Sequence, residues 1–283
     1  MAERRITQIA AAIITNSNFK GFLEGTIYRG KLKKLCVPGL NCYSCPGALG
    51  ACPIGALQAV AGSVRYGFSL YAAGFIALIG VLLGRWICGW ICPFGLIQDI
   101  LNKIPGRKLA VNRKANGILK YLKYLVLTIS VLLLPALFAD EFGLSTPYFC
   151  EYVCPAGTLE GGIPLILMNG PLRETVGFLF AWKMLILIVV IIASILIYRP
   201  FCRYLCPLGA FYSIFNKISF YRYDVDKSRC TGCNLCTRKC KMDLEPAKNP
   251  NDFECIRCGR CVKACPSKAI AREHALKQRK GKA

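Results

Sequence analysis

Eight cysteines near the C-terminus set the first chemical constraint. Cys230-x2-Cys233-x2-Cys236-x3-Cys240 is followed by Cys255-x2-Cys258-x2-Cys261-x3-Cys265-Pro266. Eight thiolates at this tight spacing are the complement of two four-iron cubanes. The fourth cysteine of each run then serves the other cluster, so Cys230, Cys233, Cys236 and Cys265 hold one [4Fe–4S] group. Cys255, Cys258, Cys261 and Cys240 hold the second. Zinc is the competing reading, but zinc sites favour paired Cys-x2-Cys knuckles on longer linkers. Lys241 stands where a proline commonly follows the fourth cysteine, which leaves ligation intact because the thiol makes the bond.

A second pattern repeats upstream. Arg85-Trp-Ile-Cys88-Gly-Trp-Ile-Cys92-Pro93-Phe-Gly95 matches Arg199-Pro-Phe-Cys202-Arg-Tyr-Leu-Cys206-Pro207-Leu-Gly209. Cys150-x3-Cys154-Pro155-Ala-Gly157 is a third copy, and Cys45-Pro46 with Cys52-Pro53-Ile-Gly55 a divergent fourth. Each copy reads as a cysteine pair followed by proline in the first turn of a short helix, where proline is tolerated. The plain alternative is four capped helix starts with buried structural thiols.

The elements that must position these cysteines are apolar. The 283 residues carry 37 Lys and Arg against 15 Asp and Glu, a net charge of +22, yet 54% are hydrophobic. Mean hydropathy is +0.42. A basic nucleic-acid binder would be far more polar, so no nucleic-acid partner is expected. The combination suits a polytopic membrane protein with basic cytoplasmic loops. His274 is the single histidine and no Cys-x2-Cys-His motif occurs, which excludes bis-histidine and attached haem. No nucleophile with a base, acid–base pair or phosphate-binding glycine loop is legible either, so the chain reads as an electron-transfer subunit, not a stand-alone enzyme.

Tyr66 to Gly84, Ile118 to Ala139 and Val176 to Tyr198 read as three clear membrane spans. Ile6 to Ile27 is a weaker fourth, interrupted by Asn16, Ser17, Asn18, Lys20 and Glu24. The loop Asp99 to Lys123 has seven basic residues and one acid, whereas Ala139 to Thr175 has five acids and one base, Arg173. The first loop and the C-terminal unit therefore face the cytoplasm. Arg29, Lys31, Lys33 and Lys34 would lie outside, against that rule, unless the segment near Ala48 to Gly62 spans. Parity places Cys88, Cys92, Cys202 and Cys206 together at the inner leaflet, the complement of a third cluster. Six cysteines remain outside. Cys45, Cys52, Cys150 and Cys154 are taken as the ligands of a fourth cluster, with Cys36 and Cys42 as alternatives and disulfides as the competing chemistry. Lys183, alone within the third span, faces the bundle or snorkels.

The Cys-x3-Cys-Pro pairs at Cys88/Cys92 and Cys202/Cys206, followed by the two-cluster ferredoxin run, resemble the NapH/YccM-like membrane polyferredoxins, relatives of the NosR and CcoG accessory proteins. The resemblance covers about residues 66–270. It implies electron passage at the membrane between a quinol or soluble donor and a partner redox protein. The extra cysteines from Cys36 to Cys52 and the pair Cys150/Cys154 depart from the simplest members, and the flavin-binding outer domain of the NosR type is not expected from these residues.

The expected fold is an α-helical polytopic membrane protein with short half-helices, fused to a small α+β two-cluster bacterial ferredoxin. The expected divisions are 1–65, 66–217, 218–272 and a basic tail 273–283. The expected function is electron transfer from cytoplasmic ferredoxin-type clusters to intramembrane clusters and across the inner membrane. Expected partners are the bilayer, an acidic cytoplasmic redox protein, an outer flavoprotein, quinone or other acceptor, and a larger anaerobic redox complex. A quinone or metal-ion reductase, or a redox-sensing or assembly protein, are the alternatives.

Overall fold

The structure, a computed structural model, describes residues 2–63, 71–109, 111–139, 145–174 and 176–272. His274 and the basic tail lie outside the described residues, as do residues 66–70 of the first expected span.

Two helices are long and apolar enough to cross a membrane, Lys114–Leu137 and Phe178–Leu196. Their 24 and 19 residues correspond to about 36 and 28 Å. Only 17% of each apolar window is buried inside the protein, unlike the core helix of a soluble fold. Leu125, Ile129 and Leu133 on one, and Leu185, Ile188 and Ile192 on the other, point outward, as a lipid-facing side requires. Of the expected span Tyr66 to Gly84, the described part is a 13-residue helix, Tyr71–Leu83.

Ile6 to Ile27 does not form a spanning helix. It breaks into Ala2–Thr15 and Phe19–Glu24, of 14 and 6 residues, each too short to cross a hydrocarbon layer about 30 Å thick. The cause is local. Asn16 Nδ2 donates to the Ala12 carbonyl and Ser17 Oγ to the Ile14 carbonyl, while Asn18 Nδ2 leaves the helix for the Pro46 carbonyl. The first helix packs on Trp86–Trp90 and Pro93–Leu101. There the buried Arg4 pairs with Asp99 at 2.7 Å.

Three short helices begin on the prolines of the repeats: Pro53–Gly62, Pro93–Leu101 and Pro207–Phe215. After Cys154 a fourth apolar helix, Gly157–Met168, starts with wider π turns. Ile54, Phe94, Phe149, Leu208 and Tyr212 bury these pieces in one core with Cys52, Cys88, Cys92, Cys154 and Cys206.

The C-terminal unit is closed by an antiparallel pair, Tyr223–Val225 with Ile270–Arg272, in the register Tyr223↔Arg272 and Val225↔Ile270. Between these strands lie the short helices Leu235–Arg238 and Arg260–Ala264. The unit is seated firmly on the apolar helices. Arg257, fully buried, donates to the carbonyls of Leu83 at 2.9 Å and Asn216 at 2.6 Å. Asn216 Nδ2 returns a bond to the Cys255 carbonyl at 2.8 Å. Glu254 is clasped by Arg85 at 2.7 Å and by the buried Lys123. Gly84 turns the chain here with φ +55°, and a side chain would meet Asn216 and Arg257.

Candidate metal centres

The repeated Cys-Pro-x-Gly unit has a mechanical explanation. Cysteine occupies the cap position of Pro93–Leu101 and Pro207–Phe215, with proline as first helical residue. The glycine amide points back at the sulfur: Gly209 N–H donates to Cys206 Sγ at 3.4 Å. Gly55, Gly95 and Gly157 do the same for Cys52, Cys92 and Cys154. Each half-helix therefore aims its electropositive end at a sulfur. That end favours a negative charge, such as a thiolate-ligated cluster carries.

Cys88, Cys92, Cys202 and Cys206 come together as one buried set, all at 4–6% exposure. Burial pushes the Cys206 thiol well above its usual range, and Cys202, Cys88 and Cys92 add to the shift. Burial also raises Cys202, opposed by the Arg199 guanidinium and by Gln98, whose Nε2 donates to Cys202 Sγ at 3.0 Å. Four such thiols are poor thiolates alone, but metal coordination deprotonates a thiol outright. The two matched arginines brace the site reciprocally. Arg85 Nη2 donates to the Cys202 carbonyl at 3.0 Å, and Arg199 Nη1 to the Cys88 carbonyl at 2.5 Å. Arg199 is held in turn by both oxygens of Asp99, at 2.8 and 2.7 Å. Burial alone would raise the Asp99 carboxyl, but Arg199 and Arg4 outweigh it and hold it below its usual range.

The second upstream set differs from the expected one in one member. Cys42, Cys52, Cys150 and Cys154 line a single cavity of about 610 Å³, together with Lys183. Cys45 instead directs its thiol at Asn16 Oδ1, 3.6 Å away. Cys36 pairs its backbone with Ala51 in an isolated parallel bridge. The expected set had Cys45, with Cys36 and Cys42 as alternatives; the structure places Cys42 in the cavity beside Cys52, Cys150 and Cys154 and turns Cys45 toward Asn16, a choice that the Cys-x2-Cys spacing leaves open. Gln58 Nε2 donates to Cys150 Sγ at 3.1 Å, and Cys42 N–H donates to Glu160 at 2.7 Å. Burial pushes Cys42 and Cys52 up to about 12 and Cys150 to about 11. Glu160 is raised to about 7, by burial, against the Cys42 amide. Lys183 Nζ reaches the Cys150 carbonyl at 3.3 Å, so it faces the bundle.

In the C-terminal unit the eight cysteines line two cavities. Cys230, Cys233, Cys236 and Cys265 line one small cavity, and Cys240, Cys255, Cys258 and Cys261 another. The first is open to solvent at Cys230 and Cys233. The cysteines of the second are half-buried, and burial pushes Cys255 and Cys261 up to about 12. Lys241, the residue in place of proline, reaches Asn102 Oδ1 at 3.4 Å and lies over the Tyr198 ring. It ties the unit to the apolar helices.

Thiol sulfurs backed by N–H groups aimed at them are a donor set whose chemistry suits an iron–sulfur cluster. Among the described residues, no three Cys, His, Asp or Glu side chains converge closely enough to hold one metal ion. Mononuclear zinc draws four sulfurs to about 2.3 Å from one centre, whereas a cubane keeps its ligands apart at the corners of a cage. Backbone and glutamine N–H groups aimed at sulfur are the hydrogen bonds that tune such clusters.

The sets adjoin one another. Ile256, between Cys255 and Arg257, lays its carbonyl against Gly89, where a Cβ would come within 2.2 Å. Gly89 follows Cys88 directly, so glycine permits the half-buried C-terminal set to approach the arginine-braced one. On the far side, the Leu40 amide donates to the sulfur of Cys92. Two residues later Cys42 lines the next cavity. Tyr212 Oη fixes that loop at the Pro38 carbonyl, 2.9 Å away. Sequence reasoning missed this bridge and the two sulfur-bonding glutamines. Gln58 and Gln98 each lie six residues after a Cys-Pro cysteine, a signal the repeat alignment carried.

Two families, both described as 4Fe-4S binding domains, match the chain. One covers residues 67–112, 126–163 and 179–222, the other 250–271. An uncharacterized protein of Methanocaldococcus jannaschii is 32% identical over 210 residues, 72% of this chain and 78% of its own length. The methylamine utilization ferredoxin-type protein MauN of Methylorubrum extorquens is 31% identical over 191 residues, 66% of this chain and 59% of MauN. The ferredoxin-type protein NapH of Haemophilus influenzae is 26% identical over 214 residues, 71% of this chain and 67% of NapH. No solved structure matches. The matched segments contain Cys88/Cys92, Cys150/Cys154, Cys202/Cys206 and the second C-terminal cysteine run; the chain belongs to the NapH/YccM-like family of ferredoxin-type 4Fe–4S electron-transport proteins.

Proposed function

We propose that the chain holds four [4Fe–4S] clusters and conducts electrons between its C-terminal unit and the cavity beside Lys183. The ligands are Cys230/Cys233/Cys236/Cys265, then Cys255/Cys258/Cys261/Cys240, then Cys88/Cys92/Cys202/Cys206, then Cys42/Cys52/Cys150/Cys154. Such clusters supply reversible one-electron redox chemistry. The protein's share is spacing, charge compensation and exclusion of water. Gly89 and the Leu40–Cys42 segment keep successive sites adjoining. Arg85 and Arg199 place fixed positive charge at the third set. The ferredoxin unit faces the cytoplasm on the charge rule, and the fourth site lies toward the opposite face of the membrane.

The contact order of the four sets carries this reading. Cys88→Ser tests it: ferredoxin signals stay, and reduction of the fourth site by a donor to the first stops. Persistence of that reduction contradicts the route.

A second reading is a reductase. The cavity beside Lys183, about 610 Å³, lies within the 300–1,000 Å³ typical of small-molecule sites. Turnover of a small oxidant there, lost on filling the cavity from its exposed side with Ala59→Phe while all iron is retained, would favour it.

A further inference from the structure

A groove of about 670 Å³ opens where the N-terminal helix meets the C-terminal unit. Eight Lys and Arg side chains line it, against the single carboxylate of Glu3. Two of the eight are paired, Arg4 with Asp99 and Lys263 with Glu3. Arg5, Arg238, Lys239, Lys241, Arg260 and Arg272 have no carboxylate partner among the described residues. Like charges gathered this closely repel one another, so the groove as it stands favours an anion. Arg260 Nε is buried without a hydrogen-bond partner.

One wall is aromatic. Trp90 and Tyr221 line the groove, and Trp86 stacks on Trp90 at 5.5 Å. Trp90 is held rigid, because its Nε1 donates to the Arg257 carbonyl at 3.0 Å. Another wall is the Cys258–Gly259–Arg260 turn, which bears a ligand of the half-buried ferredoxin site. Its glycine, at φ +74°, puts no side chain between that turn and the groove.

We infer that this groove binds a flavin nucleotide, with its phosphate on the cations and its planar ring against Trp90 and Tyr221, beside the cluster of Cys258. The inference rests on the cluster reading given above. The cations call for phosphate, and the aromatic wall calls for a flat ring. The volume lies within the range of small-molecule sites. A cubane exchanges one electron at a time, which a flavin matches and a nicotinamide, a hydride carrier, does not. At each of two successive steps the reduced flavin loses one electron to the cluster and one proton to water, and oxidised flavin remains. An anionic lipid is the other phosphate-bearing candidate, but Val262 and Ala264 are the only aliphatic residues lining the groove. They make no bed for acyl chains.

The test uses the full chain, prepared anaerobically with its clusters, in phosphatidylcholine nanodiscs. FMN should bind saturably, one per chain, quench tryptophan fluorescence, and when reduced bleach the visible absorbance of the clusters. Neither Arg5 nor Arg272 is a cluster ligand, and Arg5→Glu with Arg272→Glu should weaken FMN binding by about tenfold or more, ~1.4 kcal/mol, with iron content unchanged. Riboflavin, which lacks the phosphate, should bind more weakly by a similar factor. Absence of saturable binding, binding indifferent to the charge reversals, or equal affinity for riboflavin overturns the assignment. So does an anionic phospholipid retained by the wild type, lost in the double variant, with no FMN bound. FMN binding is read without conduction, so Cys88→Ser should leave it intact. Failure of the four-cluster route and failure of the groove are therefore distinguishable.

Discussion

Arg85 and Arg199 occupy the same position in two copies of one repeat, and each donates to the cysteine pair of the other. Arg85 bonds the Cys202 carbonyl and Arg199 the Cys88 carbonyl. Both are fully buried. Their counter-charges break the symmetry. Asp99, within the half-helix that follows Cys92, serves Arg199, whereas Glu254, from the C-terminal unit, serves Arg85. The first pair ties the site to the N-terminal helix through Arg4, and the second ties it to the ferredoxin unit.

Removing one partner of such a buried pair strands the other. Arg199→Ala leaves Asp99 with Arg4 alone and frees the Cys88 carbonyl, an expected loss of about 3–5 kcal/mol. Thermal unfolding in detergent should register it. Iron at the Cys88/Cys92/Cys202/Cys206 set should fall, while the ferredoxin signals persist.

Glu254→Gln should act on docking. It leaves Arg85 and the buried Lys123 without a counter-charge at the seam. The expected result is full iron content with slowed equilibration between ferredoxin and membrane-embedded signals, read by rapid-mixing spectroscopy. Equilibration at the wild-type rate would remove Glu254 from the seam's function.

The choice between Cys42 and Cys45 has a clean readout. Cys42→Ser should lose about four of about sixteen irons, and Cys45→Ser should retain all of them. The reverse pattern would reassign the fourth ligand to Cys45.

Gln58 and Gln98 provide a tuning test. Each donates to a different sulfur set, Gln58 to Cys150 and Gln98 to Cys202. A donor to sulfur stabilises the more negative, reduced state of a cluster. Gln58→Leu and Gln98→Leu should each lower one midpoint potential, and not the same one, in a redox titration followed by EPR.

Much of this was legible in the cysteines alone. The tight C-terminal runs place three cysteines within seven residues, which is why the spacing points to crossed sets, and the two cavities group the same cysteines. The repeat Cys-Pro-x-Gly is equally local: the cap, the proline and the glycine amide lie within one helical turn. What escaped depends on contacts distant in sequence. The segment Ile6 to Ile27 has the hydropathy of a weak span, but Asn16 and Ser17 turn their side chains onto backbone carbonyls and the helix ends. Cys42 and Cys45 are equivalent in sequence, and the approach of Gly161, whose Cβ would lie 3.3 Å from Cys42 Sγ, separates them. The Leu40–Cys42 bridge joins loops fifty residues apart, beyond any periodicity.

The same distant contacts give a pH dependence. The Asp99 carboxyl is held below its usual range, facing Arg199, Arg4 and Tyr198. A depressed carboxyl contributes stability that is complete above its unfolded value, about 3.9, and that is lost as pH falls through the folded value. Acidification through that window should release the N-terminal helix first, seen as faster amide exchange over residues 2–15. Asp99→Asn should show fast exchange there already at neutral pH.

The central claim is four clusters in one chain, and the most direct measurement is iron and acid-labile sulfide per chain in anaerobically purified protein, with EPR during reductive titration. About sixteen irons, in four reversibly titrating centres, is the expected result. About eight irons, confined to ferredoxin signals, would leave the upstream cysteines without clusters and contradict the conducting chain.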